Sequence, residues 1–191
     1  PGTLNDISQS LGISVPQAGQ LITAAAILMG LGAPLFAGLV AGWDRRRLLT
    51  GSLIWYGLLH AACALAPNYA TLMPLRVLAV ISPAVFTPQA AACVGLLVPP
   101  EQRGRGITFV FLGWSVASVM GMPLAAWIGG AWGWRWAFGL VAVSAWLVSL
   151  WVWRAMPDGV RPAALSREAW GRTLGSAPLM MAVGVTLLSA F

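Results

Sequence analysis

Residues 71–97 read TLMPLRVLAVISPAVFTPQAAACVGLL, with Arg76 the one charged side chain in the run. A helix rises about 1.5 Å per residue, so about 20 apolar residues cross a hydrocarbon core of roughly 30 Å. Working outward, residues 17–41, 48–66, 106–131 and 137–153 meet or approach the same length. Backbone N–H and C=O groups find no water in hydrocarbon, so helices that satisfy them internally are expected rather than open-edged strands. The sequence predicts an all-α transmembrane bundle of five complete spans, and residues 178–191 begin a further apolar stretch that stops short.

Composition points the same way. The chain is 59% hydrophobic and 8% charged, where soluble domains carry about 25% charged residues. The net charge of +6 would suit nucleic acid in a soluble protein. Here its distribution gives it another meaning. Arg45, Arg46 and Arg47 follow the first span, Arg103 and Arg105 the third, and Arg154, Arg161, Arg167 and Arg172 the fifth. Even numbers of spans separate these groups, so they share a side, while Arg135 stands alone on the other. The arginine-rich side is cytoplasmic by the positive-inside rule, and no nucleic-acid partner is needed. Loops 42–47, 98–105 and 154–177 are thus expected inside the cell.

Three regions follow: a bundle over 1–153, a cytoplasmic connection over 154–177, and the start of a second bundle over 178–191. Residues 1–15 read as a loop or short helix on the outer face, with Ser14 and Pro16 suited to cap and open the first span. Residues 166–174 have the pattern of a short helix lying on the membrane with Trp170 toward lipid. Gly19, Thr23, Ala26, Gly30, Ala33 and Ala37 form a stripe of small side chains on the first span. Gly113, Ala117, Gly121, Ala125 and Gly129 form another on the fourth. Close backbone approach along such stripes drives helix association in lipid, so both faces are expected to be buried. Trp127, Trp132, Trp134 and Trp136 mark the outer boundary, and Trp43, Trp151 and Trp153 the inner one, as interfacial belts do.

Little in the chain suggests reaction chemistry. Cys63 and Cys93 lie within spans without His, Cys or acid at ligand spacing, so they read as packing residues. No catalytic triad, carboxylate pair, phosphate loop or metal motif is present in the sequence, so neither an enzyme nor a cofactor is expected. Arg76 stands out, because a charge inside a span faces a bundle interior or an aqueous cavity and has a partner. The alternative is that it snorkels to the outer interface. All five acids, Asp6, Asp44, Glu101, Asp158 and Glu168, fall outside the spans, leaving its partner unassigned. Pro83 and Thr87 share its helix face at steps of seven and four. Pro83 and Pro88 each remove a helix hydrogen bond, so a bend is expected. His60 reads as hydrogen-bonded packing or a proton relay, Gln89 points away from Arg76, and Gln20 reaches the outer interface.

Four segments together resemble the major facilitator superfamily, in particular the amino-terminal half of the twelve-helix drug–proton antiporter-like exporters. Leu11-Gly-Ile-Ser-Val-Pro-Gln-Ala-Gly19, followed by Gly32-Ala-Pro34, is similar to that family's first outer loop and second helix. Gly38-Leu-Val-Ala-Gly-Trp-Asp-Arg-Arg-Arg-Leu48 occupies the place of its signature loop. There Gly42 stands where the family has aspartate, and Asp44 with Arg45, Arg46 and Arg47 offers a substitute. Ala66-Pro-Asn-Tyr-Ala70 and Leu75-Arg76-Val-Leu-Ala79 resemble the start of its fourth helix, and the resemblance implies that Arg76 is the arginine of proton coupling. Gly113 through Gly121-Met-Pro123 resembles a loose antiporter motif, and Gly133-Trp-Arg-Trp-Ala-Phe138 follows it.

The resemblance implies family helices two to six and a secondary transporter that exports a small molecule against protons by alternating access. Its partners would be the substrate, protons, the bilayer, and a first helix and carboxy-terminal half of the same transporter. A bacterial inner membrane is the expected location. A sugar, nucleoside or amino-acid exporter, or a non-transporting polytopic scaffold, are the alternatives. Orientation is testable on its own. With Cys63 and Cys93 replaced, a cysteine at Gly42 should label only from the cytoplasm and one at Asn68 only from outside; the reverse pattern would overturn the topology.

Overall fold

Helix starts are written into the local sequence. The Ser14 hydroxyl accepts from the Gln17 N–H at 3.3 Å and the Gln17 side chain accepts from the Ser14 N–H at 3.0 Å. This reciprocal cap satisfies two donors that a helix start leaves orphaned, and Pro16 sits where its missing N–H costs nothing. A computed structural model describes residues 4–162, 175–177 and Met181. Its helices are α1 (Leu4–Leu11), α2 (Val15–Leu39), α3 (Arg45–Ala64), α4 (Tyr69–Leu97), α5 (Arg103–Val116), α6 (Met122–Trp132) and α7 (Trp134–Ala155). Asp44 and Asn68 cap α3 and α4 by accepting from the Arg47 and Thr71 N–H groups at 3.1 and 2.9 Å. Gly133, at φ 93°, makes the one-residue break between α6 and α7, a backbone conformation that favours glycine.

α3 packs against α4 and α7, α2 against α4, and α6 against α7. The core near the α3–α4 turn, termed outer after the expected orientation, gathers Ile7, Leu21, Cys63, Ala66, Leu72, Trp134 and Phe138, and a smaller one, termed inner, gathers Val40, Leu48 and Val85. α4 carries Pro74, Pro83 and Pro88 yet is assigned as one helix. Between α5 and α6, Ala117–Gly121 widens into a π turn immediately before Met122-Pro123. Pro123 lacks an N–H and its ring crowds the carbonyl four residues back, so a wider turn there relieves the clash.

Several expectations change. Arg45–Arg47, Arg103 and Arg105, and Trp134–Trp136 are helical rather than loop, because Asp44 and the turn Pro100–Gln102 start their helices earlier. Among the described residues four segments are long and apolar enough to cross a membrane: Val15–Ala33, Tyr69–Leu97, Pro100–Trp132 and Trp134–Ala155. α3 is not among them, since its first turn is three arginines and Thr50, Ser52 and His60 dilute the rest. Both small-residue stripes are largely exposed, with Thr23, Ala26, Gly30, Gly113, Ala117 and Gly121 open, because no described element covers those faces. Trp134 is not an interfacial anchor. It is 2% exposed and packs edge-on to Phe138 in the outer core. The surface helix expected over 166–174 lies outside the described residues, as does 178–191 apart from Met181.

Gly57 explains how closely α3 and α7 approach. A Cβ there would meet the Trp146 indole, 2.6 Å from Cδ1, whereas a Cβ at Gly51 meets nothing within 4 Å. Gly57→Ala should therefore cost about 1 to 3 kcal/mol, the usual penalty of overpacking. Thermal melts of purified protein check this: Gly51→Ala should melt near wild type, and Gly57→Ala clearly lower.

Candidate transport site

α3 and α4 are joined by polar bonds along their shared face. Ser82 Oγ donates to the Ser52 carbonyl at 2.6 Å and Trp55 Nε1 donates to the Leu78 carbonyl at 3.1 Å. The third is Arg76, the eighth residue of α4, whose Nη1 lies 3.3 Å from His60 Nε2. His60 is 3% exposed, and its Nδ1 lies 2.9 Å from the Tyr56 carbonyl. A carbonyl can only accept, so Nδ1 carries the ring proton and Nε2 presents its lone pair to the guanidinium. Phe138 of α7 closes the arrangement, 5.6 Å from the His60 ring between centroids and 5.3 Å from Arg76 Cζ. Arg76, half-buried, is thus directed toward α3 and α7.

His60 was legible only as an isolated polar residue. The missed signal lies in the hairpin: α3 and α4 turn back at residues 65–68, which places residues comparably far from the turn side by side. Gln89, Cys63 and Cys93 are buried, the cysteines as free thiols, and Gln20 accepts the Tyr69 hydroxyl at 3.1 Å at the outer end. Pro83 and Thr87 line an open groove of about 480 Å³ between α3, α4 and α5, together with Tyr56, Phe86, Phe111 and Trp114. Arg76 does not line it. Gly113 sits on its rim, while Gly121 and Pro123 border a separate groove around the π turn.

At the end of the bundle where α3 begins, charged side chains meet the chain that leaves α7. Asp44 accepts from the Arg47 N–H and also from the Gly159 N–H at 2.9 Å. The Arg45 N–H donates to the Val160 carbonyl at 2.9 Å, and Arg46 pairs with Asp158 while stacking 4.2 Å over Trp153. Arg45 turns inward to donate to the Val40 and Ala41 carbonyls at 3.3 Å, capping α2. Gly38 and Gly42 have open space where a Cβ would stand.

Residues 2–191 match the sequence model of the Major Facilitator Superfamily. The chain belongs to that superfamily. It is 36% identical over 163 residues to a chloramphenicol resistance protein of Streptomyces lividans, a match covering 85% of this chain and 42% of the relative. It is 35% identical over 159 residues to a chloramphenicol efflux pump of Mycobacterium tuberculosis, covering 83% of this chain and 38% of that one. A crystal structure of a peptide transporter superposes with a TM-score of 0.72 at 19% identity, over 98% of this chain and 40% of that chain. The chain thus spans less than half the length of these relatives. Membership in a superfamily of transporters accords with a multi-pass membrane protein that is not an enzyme, and among the described residues no three of His, Cys, Asp and Glu gather as metal ligands.

In this superfamily member the Asp44 cluster invites a direct test. The Arg47 N–H, opposed by partial burial and aided by the Gly159 N–H and the Arg47 and Arg161 guanidiniums, holds the Asp44 carboxyl below its ordinary 3.8. A depressed folded value stabilises the fold above the unfolded value and is lost as pH falls through the folded one. Asp44→Ala should cost about 0.5 to 2 kcal/mol, as removal of a helix cap does. Melting temperatures should show a gap between wild type and variant that is constant at neutral pH and closes only in acid below 3.8. A gap that closed near neutrality would contradict the cap.

Proposed function

We propose that this chain is the amino-terminal bundle of a secondary transporter that exports a small molecule in exchange for protons by alternating access. The observation that carries the reading is Arg76, turned into the bundle, bonded to a neutral imidazole and, among the described residues, paired with no carboxylate. A guanidinium so placed is poised for an acidic or anionic partner, which the rest of the transporter or its substrate would supply. Superfamily transporters bind substrate near the bilayer midplane between two halves, so part of the site is expected on this chain. The groove beside Pro83 and Thr87 has the volume of a small-molecule site and an aromatic wall. The described activities of the two relatives make chloramphenicol the first compound to try. Loops 42–47, 98–105 and 154–177 would face the cytoplasm of a bacterial inner membrane, with Gly38 to Arg47 at the α2–α3 turn and the Gly113, Gly121, Pro123 motif taking part in gating.

The test uses the full-length protein in everted vesicles energised by a proton gradient, with chloramphenicol, a monosaccharide and a nucleoside as candidate substrates. Arg76→Ala should lose most transport and most substrate-induced proton release at matched, folded expression. Arg76→Lys should keep part, since it preserves the charge without the planar fork. Normal efflux and proton release by Arg76→Ala would remove Arg76 from coupling.

A further inference from the structure

The reading of Arg76 as a coupling residue leaves open what takes up the proton on this chain, and the geometry around His60 offers an answer that rests on that reading. The imidazole has two nitrogens with different fates. Nδ1 spends its proton on the Tyr56 carbonyl, a fixed acceptor one turn back on the same helix. Nε2 has a lone pair and one neighbour, Arg76 Nη1 at 3.3 Å. An Arg76 N–H and a proton on Nε2 both need that lone pair. Only one can have it.

We propose that His60 is a proton-binding site whose occupancy excludes the Arg76 bond. In the structure described here the lone pair serves Arg76, which makes this the proton-free arrangement. When a proton binds, it forms an Nε2–H bond, the Nη1–H···Nε2 hydrogen bond breaks, and the imidazole becomes a cation. Two cations cannot remain at this separation in a buried place without a counter-ion. The groups facing His60 provide none. Among the described residues Arg76 comes from α4, Tyr56 from α3 itself, and α7 presents the uncharged Phe138 ring. Of the described acids, Asp6, Asp44, Glu101 and Asp158, none bonds to either residue. Protonation therefore drives the guanidinium off the imidazole and leaves it free for a carboxylate or an anionic group entering the bundle. Linkage makes the relation reciprocal: whatever draws Arg76 away raises proton affinity at His60.

The ligand is the proton, so it is also the probe. Full-length protein in lipid nanodiscs is labelled with 15N-histidine and 15N-arginine, the His60 resonance being assigned by its loss in His60→Gln and that of Arg76 by its loss in Arg76→Met. Gln places an acceptor oxygen near the Nε2 position without titrating, so this variant should fold like wild type where His60→Ala need not. Wild type should show the Nδ1–H tautomer in alkaline solution and convert to imidazolium on acidification, with the Arg76 side-chain 15N signal moving in step. In Arg76→Met, removing the competing cation should tighten proton binding at His60 about tenfold or more, while the Tyr56 carbonyl keeps the neutral ring in its Nδ1–H tautomer. Identical titration in wild type and Arg76→Met would overturn the exclusion, as would a wild-type imidazole that stays neutral until the protein unfolds. Should Arg76→Met tighten proton binding while Arg76→Ala transports normally, the proton site stands and the coupling role falls.

Discussion

Lipid tails give one apolar helix no reason to leave them for another, so a bundle in a membrane is positioned by contacts that lipid cannot make. In this chain those contacts converge on α3. On one side Ser82, Trp55 and the Arg76–His60 pair tie it to α4. On the other, the absent side chain of Gly57 admits the Trp146 ring of α7. α3 is the least hydrophobic of the long helices and is flanked by α4 and α7, an arrangement that lets polar groups be satisfied at depth. Where α3 sits fixes where Arg76 points and which wall of the groove Tyr56 provides.

The two ends of α3 carry charge in different ways. At its start, Asp44 and Arg46 engage the chain leaving α7 through an ion pair and backbone donors in reach of water, where such contacts are cheap to break. Near its end, buried His60 bonds to half-buried Arg76, where a partner left unpaired is costlier. A rotation or slide of α3 would therefore be registered near both of its ends, loosely at Arg46 and stiffly at His60.

Much of this was legible in the sequence because it is local. Apolar length indicated the long helices, and Ser14 with Pro16 the start of α2. Resemblance in order and spacing pointed to the superfamily, which the match over residues 2–191 establishes. What was not legible depends on partners. A stripe such as Gly113, Ala117 and Gly121 says what a face can accept, not whether anything covers it. Trp134 has the composition of an anchor, yet the break at Gly133 begins α7 inside the outer core. His60 needed the antiparallel pairing of α3 and α4 before its neighbour could be named.

The π turn at Ala117–Gly121 has a consequence for direction as well as for hydrogen bonding. A residue added to a helix without added rise turns everything beyond it by about 100° relative to an uninterrupted helix. α5 and α6 are thus out of phase, although the sequence writes their glycines and alanines in a single line. α6 brings Ile128 and Gly129 against its neighbours while α5, just before the turn, buries nothing. One continuous rod of chain can in this way address two surroundings, its outer end belonging to this bundle and its inner end facing elsewhere.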